Sequence, residues 1–415
     1  MKPRVLFVDE DQERNGSTVS LEYLVKGFNG GGYEVFVLTW KVDPASKTRL
    51  IESATVIDAR SRRVRSITLG VHFTYTRSPF SGRGMKMLLK DIVKVPLGIA
   101  RVIGAIRRVK PDLVYANEYS VIQASIGASL CGIPAVMHIR SPLLTGTWGI
   151  RRRLLSRAIL SCNRALFAIT QRESDQLSMR GRMNRNIRVV GEFVPPHCRG
   201  QEGREACRSA FGFNGPGRVV AMLGGIRDIK GTLDFLRAAA ILGEGGCDAE
   251  FVIAGNAHLD GTRERQEYYD RCMEVAETLK RRGHLRLLGS ILNPMDLICA
   301  SDIIVSPSTA SHFSRPVVEA WRMAKPVVAA RTPHMEELIE NGVNGLIVER
   351  GDERGLARAI RTLLADDPLC RSLGEAGERK AAEEFDAERN VRTILGICAS
   401  LLPGRGAAGT GTHGT

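Results

Sequence analysis

The chain alternates short apolar runs with longer stretches in which apolar residues recur every three or four positions. Runs of the first kind are RVLFV from Arg4, YEVFVLT from Tyr33, Asp112 to Ala116, IPAVMHI from Ile133, and residues 165–170 and 187–190. In the second half they are RVVAMLGG from Arg218, AEFVIAGN from Ala249, HLRLLG from His284, and the runs at Ile303 and Val327. A short apolar run bounded by turn residues predicts a strand buried on both faces. The longer stretches predict helices from about Val19 to Phe28, in the segment opening at Met85, near 201–211, from Lys230 onward, at about 262–282, and over 352–366 and 368–402. Strand followed by helix throughout predicts α/β architecture built of parallel βαβ units. At 415 residues the chain exceeds one ordinary core and fits two domains. The expected boundary is the linker Val194-Pro195-Pro196-His197, giving domains 1–196 and 197–385. Residues 403–415 read as a Gly-rich disordered tail.

Composition adds limits rather than chemistry. With 43% hydrophobic and 25% charged residues the chain is ordinary globular material. Nine cysteines include no CxxC pair, and the odd count favours a reducing compartment. The opening MKPRVLFVDEDQ has too short an apolar run for a signal peptide, and no run is long enough to span a membrane. The expected location is therefore cytoplasmic, with a peripheral place on the inner membrane face left open.

Charge changes the picture more. The net +14 divides into +17 over residues 1–200 and −3 over 201–415. A basic half attracts nucleic acid, an acidic polymer or an anionic membrane, or is merely a solvated arginine-rich surface. Nucleic acid is disfavoured because aromatic and basic residues are not interleaved. In the helical segment opening at Met85, Lys86, Lys90, Lys94, Arg101 and Arg108 mark one face, and Leu88, Leu89, Ile92, Val93, Val95 and Leu97 the other. Pro96 is expected to kink or split it. Two readings stand: a helix lying on an anionic membrane, or one burying its apolar face in the domain.

Candidate chemistry gathers where predicted strands end. Around residues 302–349 a strand, a polar loop, a helix opened by Pro316 and a further strand form one βαβ unit. Ligands of such sheets lie at the carboxyl ends of strands. Glu319, near the end of that helix's first turn, is within reach of one, or is simply a solvated helix residue. Lys230 stands at a helix start, where a cation opposes the dipole unless an anion lies between them, so it reads as a phosphate ligand. Gly224-Gly225 before it lets backbone approach a ligand. In the first half, Asn15-Gly16-Ser17 forms a loop feeding a helix N-terminus, and Asn117 ends a strand. His138 and Arg140 end another; His138 alone reads more simply as a structural residue, and Arg140 suits an anionic group. Asp9-Glu10-Asp11 resembles a metal-binding DxD but flanks the first strand, so a solvated loop and no metal site are expected.

The order PS, loop, RPVVEA, KPVVA, EELIENGVNGLIV resembles the nucleotide-sugar half of family-4 (group 1) retaining glycosyltransferases, strongly over 217–385 and weakly before. The resemblance implies the GT-B architecture: two Rossmann-like domains facing across a cleft, with residues 1–196 on the acceptor side, 197–385 binding the donor, and a crossover helix, 386–402, returning to the first domain. It implies that Glu319 hydrogen-bonds the donor ribose and Lys230 grips the diphosphate, aided by N–H groups near Val317. It further implies that the loop at Ile291 faces the nucleobase. Where the family has a glutamate this chain has Ser311, where it has Gly-Phe-Gly the chain has His312-Phe313-Ser314, and where it has an arginine the chain has Gly225. Arg227 is the expected substitute for that arginine. His138 or Arg140 takes the place of a residue facing the donor sugar, and Asn15, Gly16, Ser17 and Asn117 line the acceptor side. The implied activity moves a sugar from a nucleoside-diphosphate donor to a hydroxyl acceptor, with no cofactor or metal. The expected acceptor is an anionic or lipid-linked saccharide. A noncatalytic descendant and a nucleotide-sugar epimerase remain as alternatives.

Overall fold

The structure is a computed structural model and describes residues 2–9, 16–40, 44–59, 69, 82–143, 150–177, 186–194, 201–259 and 261–402. It divides into two compact units, Met1–Phe193 with Ala387–Thr415, and Val194–Asp386. The first contains β1 (Arg4–Val8), α1 (Gly16–Gly30), β2 (Glu34–Thr39), α2 (Pro44–Ile51), β3 (Thr55–Asp58), α3 (Gly82–Val109) and β4 (Leu113–Ala116). A 3₁₀ turn, Tyr119–Val121, then leads to α4 (Gln123–Leu130), β5 (Ala135–Ile139), α5 (Ile150–Cys162), β6 (Ala165–Ala168), α6 (Gln171–Asp175) and β7 (Ile187–Val189). Its seven parallel strands are ordered β3-β2-β1-β4-β5-β6-β7. Successive residues of β1 feed opposite cores: Leu6 and Val8 join Trp40 and Tyr119, whereas Val5 and Phe7 join Leu21, Phe28 and Tyr115. That two-sided burial is why the strand is an unbroken apolar run.

The second unit contains α7 (Gln201–Ala210), β8 (Arg218–Leu223), a 3₁₀ turn at Asp228–Lys230, α8 (Thr232–Glu244), β9 (Ala249–Ala254), α9 (Arg263–Arg281), β10 (Leu285–Gly289) and α10 (Pro294–Ala300). There follow β11 (Ile303–Ser306), α11 (Arg315–Trp321), β12 (Val327–Ala330), α12 (Pro333–Leu338), β13 (Leu346–Val348), α13 (Glu353–Ala365) and α14 (Asp367–Glu384). Its six strands, also parallel, are ordered β10-β9-β8-β11-β12-β13. The chain then re-enters the first unit as α15 (Ala387–Ser400), which packs on α1. Ile394 and Cys398 of α15 are fully buried, and a Cβ on Gly27 of α1 would overlap Val391.

Three expectations are corrected. The single helix over 368–402 is two helices. Phe385 turns inward, packs 5.7 Å from Phe313, and its carbonyl accepts the Val194 amide, so the chain leaves helical geometry there. Helix α1 starts at Gly16 rather than Val19, so Gly16 to Thr18 are its first turn and not a loop. Helix α3 runs unbroken through Pro96, and Ile92, Val93 and Leu97, expected on a buried apolar face if the helix belongs to the domain core, are exposed. The linker residues 195–197, the basic stretch over 60–68 and 70–81, and residues 403–415 lie outside the described residues.

Candidate functional site

In a doubly wound sheet the ligand crevice opens where strand order reverses. In the second unit that point lies between β8 and β11, and the loops leaving these two strands are stitched together. The amides of Thr309 and Ala310 donate to Ile229 O at 3.1 and 3.4 Å, and Thr309 Oγ1 donates to Asp228 O at 2.8 Å. Gly231, at φ 69°, lets the Lys230 turn close on this loop, because a Cβ there would lie 1.9 Å from Pro307 O. The loops bring Lys230 Nζ within 2.6 Å of His312 Nε2. His312 Nδ1 is 2.9 Å from Ala310 O, a group that only accepts, so Nδ1 carries the proton and Nε2 offers its lone pair to the ammonium. The pair thus holds one positive charge. Burial, then the nearby Arg227 guanidinium, lower the Lys230 pKa to about 8. Among the described residues Lys230 has no carboxylate partner. Desolvation without a counterion disfavours the charged ammonium, which an arriving anion would stabilise.

The other donor-side candidates fall into two groups. Arg227 stands beside Lys230, electrostatically felt by it, and its amide donates to Thr232 Oγ1 at 3.2 Å. Ser311 neighbours His312, and its Oγ is 2.7 Å from Nδ1 of His334, a buried residue in the first turn of α12. Glu319 is buried rather than solvated, and Arg315 Nε donates to its Oε1 at 2.6 Å. Ile291 lies beyond β10, partly buried, in the loop whose Ser290 amide donates to Asn256 Oδ1 at 3.0 Å.

Four candidates remain, and three of them make contacts within the unit. Ser314 Oγ is bonded to Ser306 Oγ at 2.9 Å, Phe313 packs on Phe385, and the Val317 amide already donates to Ser314 O at 3.1 Å. Gly225 has φ 70° and no room for a side chain: a Cβ would lie 2.1 Å from Asn256 O. An arginine cannot occupy this backbone, which leaves Arg227 as the cation beside Lys230.

The first unit has its own switch point, between β1 and β4, and there the predicted residues form a closed network. Asn117, fully buried, donates through Nδ2 to Asp9 Oδ1 at 2.8 Å, and its carbonyl accepts from Arg140 Nε at 3.2 Å. Arg140 NH1 pairs with Glu192 at 2.5 Å, and Glu192 also accepts from Ser20 Oγ. Arg140 NH2 and Tyr115 OH both reach His138 Nδ1, at 3.2 and 2.9 Å. Arginine only donates, so Nδ1 is the acceptor and the proton is on Nε2, which has no hydrogen-bond partner; the imidazole stands edge-to-face with the Phe193 ring, centroids 5.9 Å apart. Burial, then Arg140, hold His138 well below the ordinary histidine pKa.

Hence His138 and Asn117 are internal struts rather than substrate contacts, and the charge of Arg140 is spent on Glu192. Gly16 and Ser17 lie in the first turn of α1, where Gly16 O is 3.0 Å from Ser20 Oγ. Asn15 lies outside the described residues. Asp9 is buried instead of solvated.

Sequence reasoning missed His312, His334 and Glu192. The nearest signal was the departure at His312 and Ser311 from the family pattern. Their partners are remote in sequence, Lys230 and His334, and Glu192 has no local motif at all. Among the described residues no three His, Cys, Asp or Glu side chains gather as metal ligands.

Two family profiles match the chain in succession: "Glycosyl transferase 4-like domain" over residues 15–191 and "Glycosyl transferases group 1" over 203–380. The chain is 30% identical over 134 residues to the lipopolysaccharide core biosynthesis glycosyltransferase LpsE of Rhizobium meliloti (strain 1021), covering 32% of this chain and 39% of that protein. It is 27% identical over 310 residues to D-inositol 3-phosphate glycosyltransferase 1 of Catenulispora acidiphila, covering 71% and 73%. Against the first curated relatives it spans between 39 and 55% of their length. Among solved structures, Anabaena HepE in complex with UDP and glucose matches with a TM-score of 0.74 at 20% identity, over 95% of this chain and 99% of that one. A likeness so low in identity speaks for the fold alone. With each unit matched by its own profile and the whole by one fold, the chain belongs to the group 1 glycosyl transferases of GT-B architecture.

Proposed function

We propose that the protein transfers a sugar from a nucleoside-diphosphate donor to a hydroxyl acceptor, with retention at the anomeric carbon. The observation that carries this reading is the Lys230–His312 pair at the β8/β11 switch point, a desolvated cation with no carboxylate partner among the described residues. As the sugar leaves, negative charge grows on the diphosphate, and Lys230 with Arg227 meets it. Removing one such group costs on the order of 10²–10³-fold in rate. Glu319, oriented by Arg315, would take the ribose hydroxyls, and Ser311 backed by His334 would take a sugar hydroxyl in place of a carboxylate. The relative from Rhizobium meliloti is named for lipopolysaccharide core biosynthesis, and another from Staphylococcus aureus for capsular polysaccharide biosynthesis. With the strongly basic first half, these names support an anionic or lipid-linked saccharide acceptor.

The test is a thermal-shift panel of nucleoside diphosphates and nucleotide sugars on the native chain and on Lys230→Ala. A ligand at about 100 times its Kd stabilises its fold by roughly 2.7 kcal/mol. A shift with one donor, lost in the variant, names base and sugar and supports the reading. Absence of any shift transfers it to a noncatalytic descendant. Release of free sugar or an epimer without acceptor would instead identify an epimerase.

A further inference from the structure

Helix α3 has 28 residues, about 42 Å of helix, whereas its neighbour α4 has 8, about 12 Å. The second half of α3 is walled in: Val102 meets Gly127 of α4, and Val102, Ala105 and Ile106 join the core, with Val95 packed against it. Other apolar residues nearer the start of the helix stand in water. Ile92 and Val93 are each 59% exposed and Leu97 is 43% exposed, and Leu154, on α5, is 61% exposed. At 3.6 residues per turn Val93, Leu97, Ala100, Arg101, Gly104 and Arg108 share one face, and all are exposed. The exposed face over residues 93–108 therefore mixes apolar with basic residues, and the buried face of Val102, Ala105 and Ile106 lies opposite it.

The charge around this stripe has one sign. Helices α3, α4 and α5 pack side by side and together carry eleven Lys and Arg against one Asp, Asp91. Arg101, Arg107, Arg108, Arg153 and Arg157 are exposed, with no ion-pair or hydrogen-bond partner among the described residues. Exposed aliphatic residues set among unpaired arginines match a bilayer interface, where apolar side chains enter the acyl boundary and cations meet anionic headgroups. No helix among the described residues is long and apolar enough to cross a membrane, so contact would be lateral. Nucleic acid would leave Ile92, Val93 and Leu97 without a role, and these three helices contain no aromatic residue on which bases could stack.

We propose that the exposed face of α3, with the arginine-rich start of α5 on the far side of α4, docks the protein onto an anionic phospholipid bilayer. The test is flotation of the full chain with phosphatidylcholine vesicles, with and without phosphatidylglycerol, in the absence of donor and acceptor, so that it stands or falls apart from the proposed activity. The expected result is binding to the anionic vesicles only, weakened by salt. Arg101→Gln/Arg153→Gln/Arg157→Gln weakens it about a hundredfold, and Ile92→Ser/Val93→Ser/Leu97→Ser roughly tenfold or more. All six positions are exposed, and unchanged circular-dichroism melting verifies the fold of each variant. As a second readout, Ile92→Trp shows a blue-shifted emission component with anionic vesicles that the parent chain lacks. Equal binding to neutral vesicles, or no binding, overturns the proposal. So does an apolar variant that binds like the parent, which would indicate an acidic polymer, or concentration-dependent dimerisation abolished by that variant, which would make this face a contact between copies.

Discussion

A single proton decides the behaviour of Lys230. Its ammonium is lowered to about 8 from the ordinary 10.5, so between these values the unfolded chain holds more protons than the folded one. The ligand-free protein should therefore gain stability as pH rises from 8 to 10.5, while diphosphate-induced stabilisation, full below pH 8, should fade above it as the charge is lost. Melting curves with and without nucleotide across this range check both signs, and Lys230→Ala should flatten both. In the first unit Arg140 has the opposite standing, a cation fully committed to Glu192. Arg140→Met would strand a buried carboxylate at a cost of about 3–5 kcal/mol. At roughly 2–4 °C per kcal/mol its unit should melt on the order of 10 °C lower. Adding Glu192→Leu should restore most of that loss. The place of Lys230 before a helix and of Glu319 inside one was legible from spacing. Their partners were not, since His312 lies 82 positions from Lys230 and chemistry across such a gap depends on which strands become neighbours.

Elements are set against one another by what is missing as much as by what is present. Helix α11, which carries Glu319, lies against α14 through two glycines: a Cβ on Gly377 would lie 2.1 Å from Trp321 Cδ1, and one on Gly374 would lie 2.0 Å from Ala324 O. Trp321 is fixed from its far side by Nε1 donating to Asn344 O at 2.8 Å, so it has little freedom to yield. Gly377→Ala should cost about 1–3 kcal/mol by overpacking. It should also displace α11, weakening nucleotide binding with no change to any candidate contact residue; calorimetric melting and nucleotide titration measure the two effects. This pair of glycines gave no warning in the sequence, since a helical Gly-x-x-Gly is read as a weak helix rather than a close approach. Strands were far easier to place. Two-sided burial writes itself as continuous apolar runs: β1, β2, β4, β5, β8 and β9 all fall within their predicted runs, and β11 exceeds its run by Ser306 alone. Helix boundaries depended on tertiary events, such as Phe385 turning into the core, that no local pattern announces.

At the scale of the molecule, one unit is written in two pieces and the other in one. Residues 194–386 form a complete second unit, whereas the first takes α15 from beyond it. Cutting the chain before Ala387 should uncover Val25, Leu24 and Phe28, which share a core with Ile394 and Cys398. Amide-exchange protection should then fall in β1 and α1 and persist in β8 and β11; uniform loss across both units would show that they do not fold separately. The parallel sheets and the two-unit division followed from pattern and length, but which helix completes which core is a matter of three-dimensional return. That return has a consequence in time. A ribosome delivers β1 through β7 and α1 first, yet the core they form lacks α15 until the whole of residues 194–386 has been made. During synthesis the second unit can close its core ahead of the first. The nascent chain carries a half-covered apolar sheet for about 190 residues of elongation, roughly 10–40 s at bacterial and eukaryotic rates of about 5–20 residues per second. Chaperone demand should concentrate in that interval and should end when α15 emerges.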